Sequence, residues 1–199
     1  MSVLPVMESF YSLQGEGVFR GTPAYFIRIA GCDVGCTWCD VKESWDAEKY
    51  NEVEVTELAN KVVDSGTKIA VITGGEPLMY KLDSLTDELR NKGIDVHLET
   101  SGSYPLSGDW DWICVSPKKF KAPLPDVLSR ADELKIIVVN KHDLEWGEEQ
   151  ARLTSLDCRF LLQPEWSKSD QVLPFMIDYV KANPQWSISL QEHKYINIP

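Results

Sequence analysis

The sequence predicts an α/β fold: a partial, open parallel β/α barrel of about six strands, built as a single domain over residues 1–199. Three observations carry that expectation. Short apolar runs alternate with segments of helical periodicity, the pattern of a parallel sheet with right-handed crossovers. Such units are too few for a closed eight-unit barrel. Each apolar run is also followed by thiol, glycine or polar groups, and α/β folds gather such groups at the carboxyl ends of their strands.

Taken in order, Ala24–Ala30 is a compact apolar strand that leads into Cys32. Thr56–Ser65 places Leu58, Ala59, Val62 and Val63 at helical spacing, with Thr56 as the cap and Gly66 as the stop. Lys68–Thr73 reads as a buried strand ending in Gly74-Gly75-Glu76-Pro77, and Leu82–Asn91 as a helix closed by Gly93. Strands follow at Ile94–Glu99, leading to Thr100-Ser101, and at Trp112–Val115, leading to Ser116-Pro117-Lys118. Two more lie at Leu134–Val139, before Asn140-Lys141, and at Arg159–Gln163, before Pro164. Leu144–Leu156 and Gln171–Ala182 read as helices. The second carries Val172, Phe175, Met176 and Tyr179 as a core-facing stripe. Lys42–Glu54 shows no helical pattern.

Composition narrows the function. The chain is long enough to bury a real core. Its net charge of −11 argues against direct nucleic-acid binding, which needs a basic footprint. No apolar run approaches the ~20 residues of a membrane span, and no signal core opens the chain. The expectation is a cytoplasmic protein with no membrane partner and with reduced thiols.

Cys32, Cys36 and Cys39 put three thiols into the run Gly31–Asp40. A zinc site or an ordinary ferredoxin-type cluster takes four ligands. Three leave one iron of a four-iron cluster open to another molecule. A zinc knuckle completed by Cys114, Cys158 or a histidine is the alternative, although Cys114 and Cys158 sit in or beside apolar strands and read as core thiols. His97 reads as structural and His142 as an exposed turn residue. Gly74 and Gly75 allow backbone to approach a ligand closely. Arg28 interrupts an apolar strand, and a guanidinium there needs a partner. That partner is an internal carboxylate, Glu99 or Glu16, or a bound carboxylate. Ser12–Gly17 is a glycine turn with a solvated Glu unless it serves a site. The tail from Ser189 to Pro199 ends on apolar residues, which suits a docked terminus.

The spacing of the cysteines, with Trp38 before the third, resembles the CxxxCxxC signature of radical S-adenosylmethionine (SAM) enzymes. In that superfamily a [4Fe-4S] cluster binds SAM at its open iron and cleaves it reductively to a 5′-deoxyadenosyl radical. The resemblance assigns Cys32, Cys36 and Cys39 to the cluster. It assigns Trp38, Gly74, Gly75, Glu76, Glu99, Ser101, Ser116, Lys118 and Gln163 to SAM. SLQGEG, the strand leading to Cys32, Trp-Cys-Asp, TGGEP, ETSG, SPK and SLQEHKY occur in that order across nearly the whole chain. Together they resemble the 7-carboxy-7-deazaguanine synthase family of queuosine and 7-deazapurine biosynthesis.

That family converts 6-carboxy-5,6,7,8-tetrahydropterin into 7-carboxy-7-deazaguanine and ammonia, with SAM re-formed. The resemblance implies that Arg28 clamps the substrate carboxylate. It implies that the Leu13 backbone, Gln14, Glu16, Thr73, His193 and the carboxylate of Pro199 read the pterin. A homodimer and a flavodoxin- or ferredoxin-like reductant are implied as well. One departure concerns Mg²⁺. The family follows Trp-Cys-Asp with a threonine that helps hold the ion, whereas Val41 here has no oxygen to donate. Asp40 is the remaining donor at that position, and a requirement for Mg²⁺ is doubtful. A glycyl-radical-enzyme activase and a non-enzymatic metal-binding protein are the alternative functions.

Overall fold

The computed structural model describes residues 2–199. In chain order its strands are β1 (Val3–Leu13), β2 (Pro23–Ile29), β3 (Glu52–Glu54), β4 (Ile69–Gly74), β5 (Asp95–Thr100), β6 (Trp112–Val115), β7 (Glu133–Val138), β8 (Arg159–Pro164) and β9 (Trp186–Ile188). The helices are α1 (Val55–Asp64), α2 (Asp83–Asn91), α3 (Pro125–Leu128), α4 (His142–Ala151), α5 (Ser169–Ala182) and α6 (Glu192–Ile196). One nine-stranded sheet runs β3-β1-β2-β4-β5-β6-β7-β8-β9. Pairing is parallel from β2 through β9 and antiparallel where β1 meets β2 and β3. The sheet does not close on itself, so the expected open α/β architecture holds, with three more strands than the apolar runs indicate.

From β4 onward each new strand is added on the same side of the sheet. Right-handed crossovers then bring the major helices onto one face. Ile27, Ile72, Leu98, Ile113, Leu134, Ile136 and Leu162 point to that face and form one core with Leu58, Val62, Leu85, Leu89, Val172 and Met176. Because strand side chains alternate, the intervening residues must face the other way. Those are Arg28, Thr73, His97, Glu99, Cys114, Glu133, Lys135 and Gln163. Cross-strand register sets several of them side by side, with Arg28 opposite Thr73 and Glu99 opposite Cys114.

Several boundaries differ from expectation. α1 begins at Val55, its cap position is Glu54, and Thr56 makes no cap because it is already inside the first turn. α4 stops at Ala151, and Leu156 projects fully into solvent. Lys42–Trp45 and Ala47–Lys49 form short 3₁₀ turns. Gly66 and Gly93 adopt positive φ and end their helices as read. Leu98 is fully buried at the centre of the sheet. Leu98→Ala is expected to lower unfolding stability by about 2–5 kcal/mol, seen as a lower urea midpoint at unchanged slope. A loss under about 1 kcal/mol would contradict this placement.

Candidate active site

Two adjoining cavities open at the carboxyl ends of the strands. The first, ≈ 200 Å³, is walled by Cys32, Cys36, Cys39, Trp38, Gly74 and Gly75, together with Glu99, Ser101, Ser116, Lys118 and Gln163. The loop after β2 delivers the thiols, and the turn after β4 delivers the glycines. A Cβ on Gly75 would stand 2.2 Å from the Gly31 carbonyl oxygen and 2.9 Å from Cys32 Cβ, so only glycine lets these two loops meet. Glu76 is the one expected SAM residue that is not on the wall. Its carboxylate is buried and accepts hydrogen bonds from Thr100 Oγ1, the Ser101 amide and the Leu78 amide. It locks the glycine turn to the end of β5.

The donor chemistry fits a [4Fe-4S] cluster with SAM. Three thiols share the wall of a cavity that also offers glycine backbone and the Lys118 ammonium. The Lys118 Nζ lies 5.7 Å from the centre of the Trp38 ring and donates to Ser116 Oγ at 2.6 Å. Burial pushes the Cys32 and Cys36 thiols up, Cys36 to about 11, so iron must displace their protons. Among the described residues, no fourth ligand is grouped with the three thiols to complete a zinc knuckle. Cys114 is buried against Glu133, His97 packs on Phe19, and Cys158 lies beside the Arg159 carbonyl. Among the described residues, no three His, Cys, Asp or Glu side chains are grouped to hold a single ion.

The second cavity, ≈ 350 Å³, is lined by Leu13, Gln14, Glu16, Arg28, Thr73, His193 and Pro199, with Asp40, Val41 and Lys194 at one side. Every expected substrate residue is therefore on one wall. Glu16, Glu99 and Gln191 belong to both cavities and form the partition between them. The tail is docked: the Glu192 amide donates to the Gly15 carbonyl at 2.8 Å, and Ser12 Oγ donates to the Pro199 carbonyl at 3.3 Å. A Cβ on Gly15 would lie 2.3 Å from His193 Nδ1, which explains a glycine where the imidazole crosses the turn. Phe10 and Phe26 stack at 5.3 Å as an aromatic wall, a feature hidden in β1.

Arg28 is paired, but not with Glu99 or Glu16. Its Nε donates to Glu8 at 2.7 Å, directly across the β1–β2 register. Glu16 and Glu99 are instead held by Lys135, at 2.7 and 2.9 Å. Lys135 is an unanticipated site residue. Its signal was a lysine inside the apolar run Leu134–Val139, the same irregularity that singled out Arg28. Burial alone would raise the Glu16 carboxyl, but the Lys135 charge and hydrogen bond, aided by Gln163 and Gln191, lower it to about 2. Burial opposes the Lys135 charge, yet Cys114, Glu16, Glu99 and Glu133 around it hold the ammonium well above its ordinary value. Burial pushes His193 below 6.5, so its imidazole is neutral near pH 7.

This cluster sets a pH window. Glu16 contributes stability above its unfolded value of 4.5 and loses it as pH falls toward about 2. Lys135 contributes fully below 10.5 and loses its share only as pH rises through its higher folded value. Glu16→Gln is expected to cost about 1–3 kcal/mol at pH 7, with the gap from the parent shrinking below about pH 4.5. A gap unchanged down to pH 3 in urea titrations would contradict the ion pair. Lys135→Met, which leaves two carboxylates facing each other, is expected to cost about 3–5 kcal/mol in the same titrations.

Residues 26–119 match the model of the radical SAM superfamily. A 7-carboxy-7-deazaguanine synthase of Flavobacterium psychrophilum is 51% identical over 99% of this chain and 93% of its own length. The Escherichia coli K12 protein of the same name is 36% identical over 98% of both. The crystal structure of QueE from Escherichia coli superposes with a TM-score of 0.86 at 34% identity, covering 96% of this chain and 95% of that one. These full-length similarities favour neither the activase nor the non-enzymatic alternative. The thiol loop, the glycine turn and the docked tail thus sit in a chain that belongs to the 7-carboxy-7-deazaguanine synthase family of radical SAM enzymes.

Proposed function

We propose that the chain contracts the ring of 6-carboxy-5,6,7,8-tetrahydropterin to give 7-carboxy-7-deazaguanine and ammonia, as a step in queuosine or 7-deazapurine biosynthesis. The observation that carries this reading is the shared partition. A cavity suited to the cluster and SAM abuts one lined by an arginine, a carboxylate, a neutral imidazole and stacked aromatics. When bound, the cluster and SAM supply the carbon-centred radical that takes a hydrogen atom from the substrate.

The chain's own residues orient and enclose. Arg28 spends Nε on Glu8, and its terminal nitrogens make no other ion pair among the described residues. They are placed to fork a substrate carboxylate. Glu16, kept anionic by Lys135, accepts from the N–H groups of the pterin's amino edge. The neutral His193, Gln14 and the Leu13 backbone complete that edge, and Phe10 and Phe26 give the flat ring a face. The tail covers the cavity and excludes water, so the reacting atoms meet in a fixed geometry.

The family resemblance supports a homodimer, a flavodoxin- or ferredoxin-like reductant and a cytoplasmic setting. Among the described residues, no helix is long and apolar enough to cross a membrane. Mg²⁺ lacks a ready ligand set, since Val41 offers no oxygen and Asp40 is ion-paired with Lys194.

An anaerobic assay with reconstituted protein, SAM, dithionite and the carboxytetrahydropterin tests the proposal. The expected product is 7-carboxy-7-deazaguanine, with SAM not consumed in proportion; an untouched pterin overturns the reading. Arg28→Ala is expected to lower kcat/KM by about 100-fold or more, the loss of a charge-assisted carboxylate clamp. His193→Ala should depress pterin turnover while reductive SAM cleavage persists, and normal turnover would refute its assignment.

A further inference from the structure

We propose that this chain handles its carboxylated substrate without a divalent cation, and that Lys194 supplies the positive charge at that end of the cavity. This rests on the pterin reading above. Mg²⁺ takes oxygen ligands in near-octahedral geometry and gives up its waters reluctantly. At the place where the family resemblance puts a threonine hydroxyl, Val41 presents a hydrocarbon side chain to the cavity. The adjacent oxygen donor, Asp40, is already engaged. Lys194 Nζ donates to its Oδ2 at 2.7 Å, and Gln191 Nε2 approaches the same oxygen at 3.4 Å.

Lys194 is fixed as well as charged. Its ammonium also donates to Gln191 Oε1 at 3.0 Å and lies 5.1 Å from the centre of the Trp166 ring. Its side chain is 22% exposed, against 55% for Asp40, so the cation is the more enclosed member of the pair. Lysine has three donors, and two are spent on Asp40 and Gln191. The third remains for an anion in the cavity that Lys194 lines together with Arg28. A metal ion reaching Asp40 would have to break this ion pair and stand beside the displaced ammonium, which like charges oppose. The ammonium therefore occupies, electrostatically and sterically, the place a metal would need.

The test uses the reconstituted holoprotein in EDTA-treated, metal-depleted buffer. Pterin turnover with and without added Mg²⁺ is compared, and Mn²⁺ binding is followed by EPR in the presence of pterin. The expected kcat/KM agrees within about twofold in the two buffers, and no pterin-dependent Mn²⁺ signal is lost to the protein. Lys194→Met is expected to raise KM for the pterin at least tenfold with a smaller change in kcat, and Lys194→Arg to restore most of it. Val41→Thr combined with Lys194→Met is expected to gain Mn²⁺ binding. Turnover only with Mg²⁺, Mn²⁺ binding by the parent, an unchanged KM in Lys194→Met, or no gain in the double variant would overturn the assignment. A protein that leaves the pterin untouched in both buffers overturns the functional reading instead.

Discussion

A buried ammonium holds the site together. Lys135 is almost completely enclosed, and its charge is tolerable in that setting because Glu16 and Glu99 meet it at 2.7 and 2.9 Å. Those three residues come from an N-terminal turn, the end of β5 and the middle of β7. The same turn is fastened beneath by Glu133, which accepts from the Val18 amide at 3.0 Å, and by Ser189, whose Oγ accepts from the Gly17 amide at 3.0 Å. Gln191 then donates to Glu16 at 2.9 Å, so the docked tail is joined to the same carboxylate. Breaking the lysine's ion pairs would loosen the partition, the turn and the tail together.

Strand alternation decides which residues can belong to this assembly. The helices cover one face of the parallel sheet with aliphatic side chains, and every second strand residue is sent to the other face. Arg28, Thr73, Glu99, Lys135 and Gln163 share a side for that reason alone. Chemistry is then divided by loop. The segment after β2 brings thiols, the turn after β4 brings bare backbone, and the N-terminal turn and tail bring the carboxylate, amide and imidazole groups of Glu16, Gln14 and His193. Glu16 and Glu99 each face both cavities, so only their side chains and that of Gln191 separate the two.

Much of this was legible in one dimension. Six central strands appear as apolar runs bounded by turn chemistry, and the thiol spacing, glycine pair and tail motif stand out without tertiary information. β3 and β9 escape because three residues carry too little pattern. β1 escapes because Pro5 and Glu8 break its apolar character, and its second face is half exposed. Arg28 was conspicuous as a misplaced charge, but its partner depends on an antiparallel register that no local pattern encodes. Lys135 carries the same mark in Leu134–Val139, but its partners lie more than thirty residues away in either case, beyond the reach of any local pattern. Glu76 shows another limit: the motif marks its position, but only the tertiary structure shows its side chain hydrogen-bonded to Thr100, Ser101 and Leu78.

The central claim is that a radical formed in the thiol-lined cavity reaches a pterin held across the Glu16–Glu99 partition. It is tested most directly by supplying substrate with deuterium at C6 under anaerobic turnover and analysing the recovered SAM. Deuterium transferred from the pterin into the 5′ position of SAM is the predicted result. Formation of 7-carboxy-7-deazaguanine while the recovered SAM stays free of deuterium would contradict it.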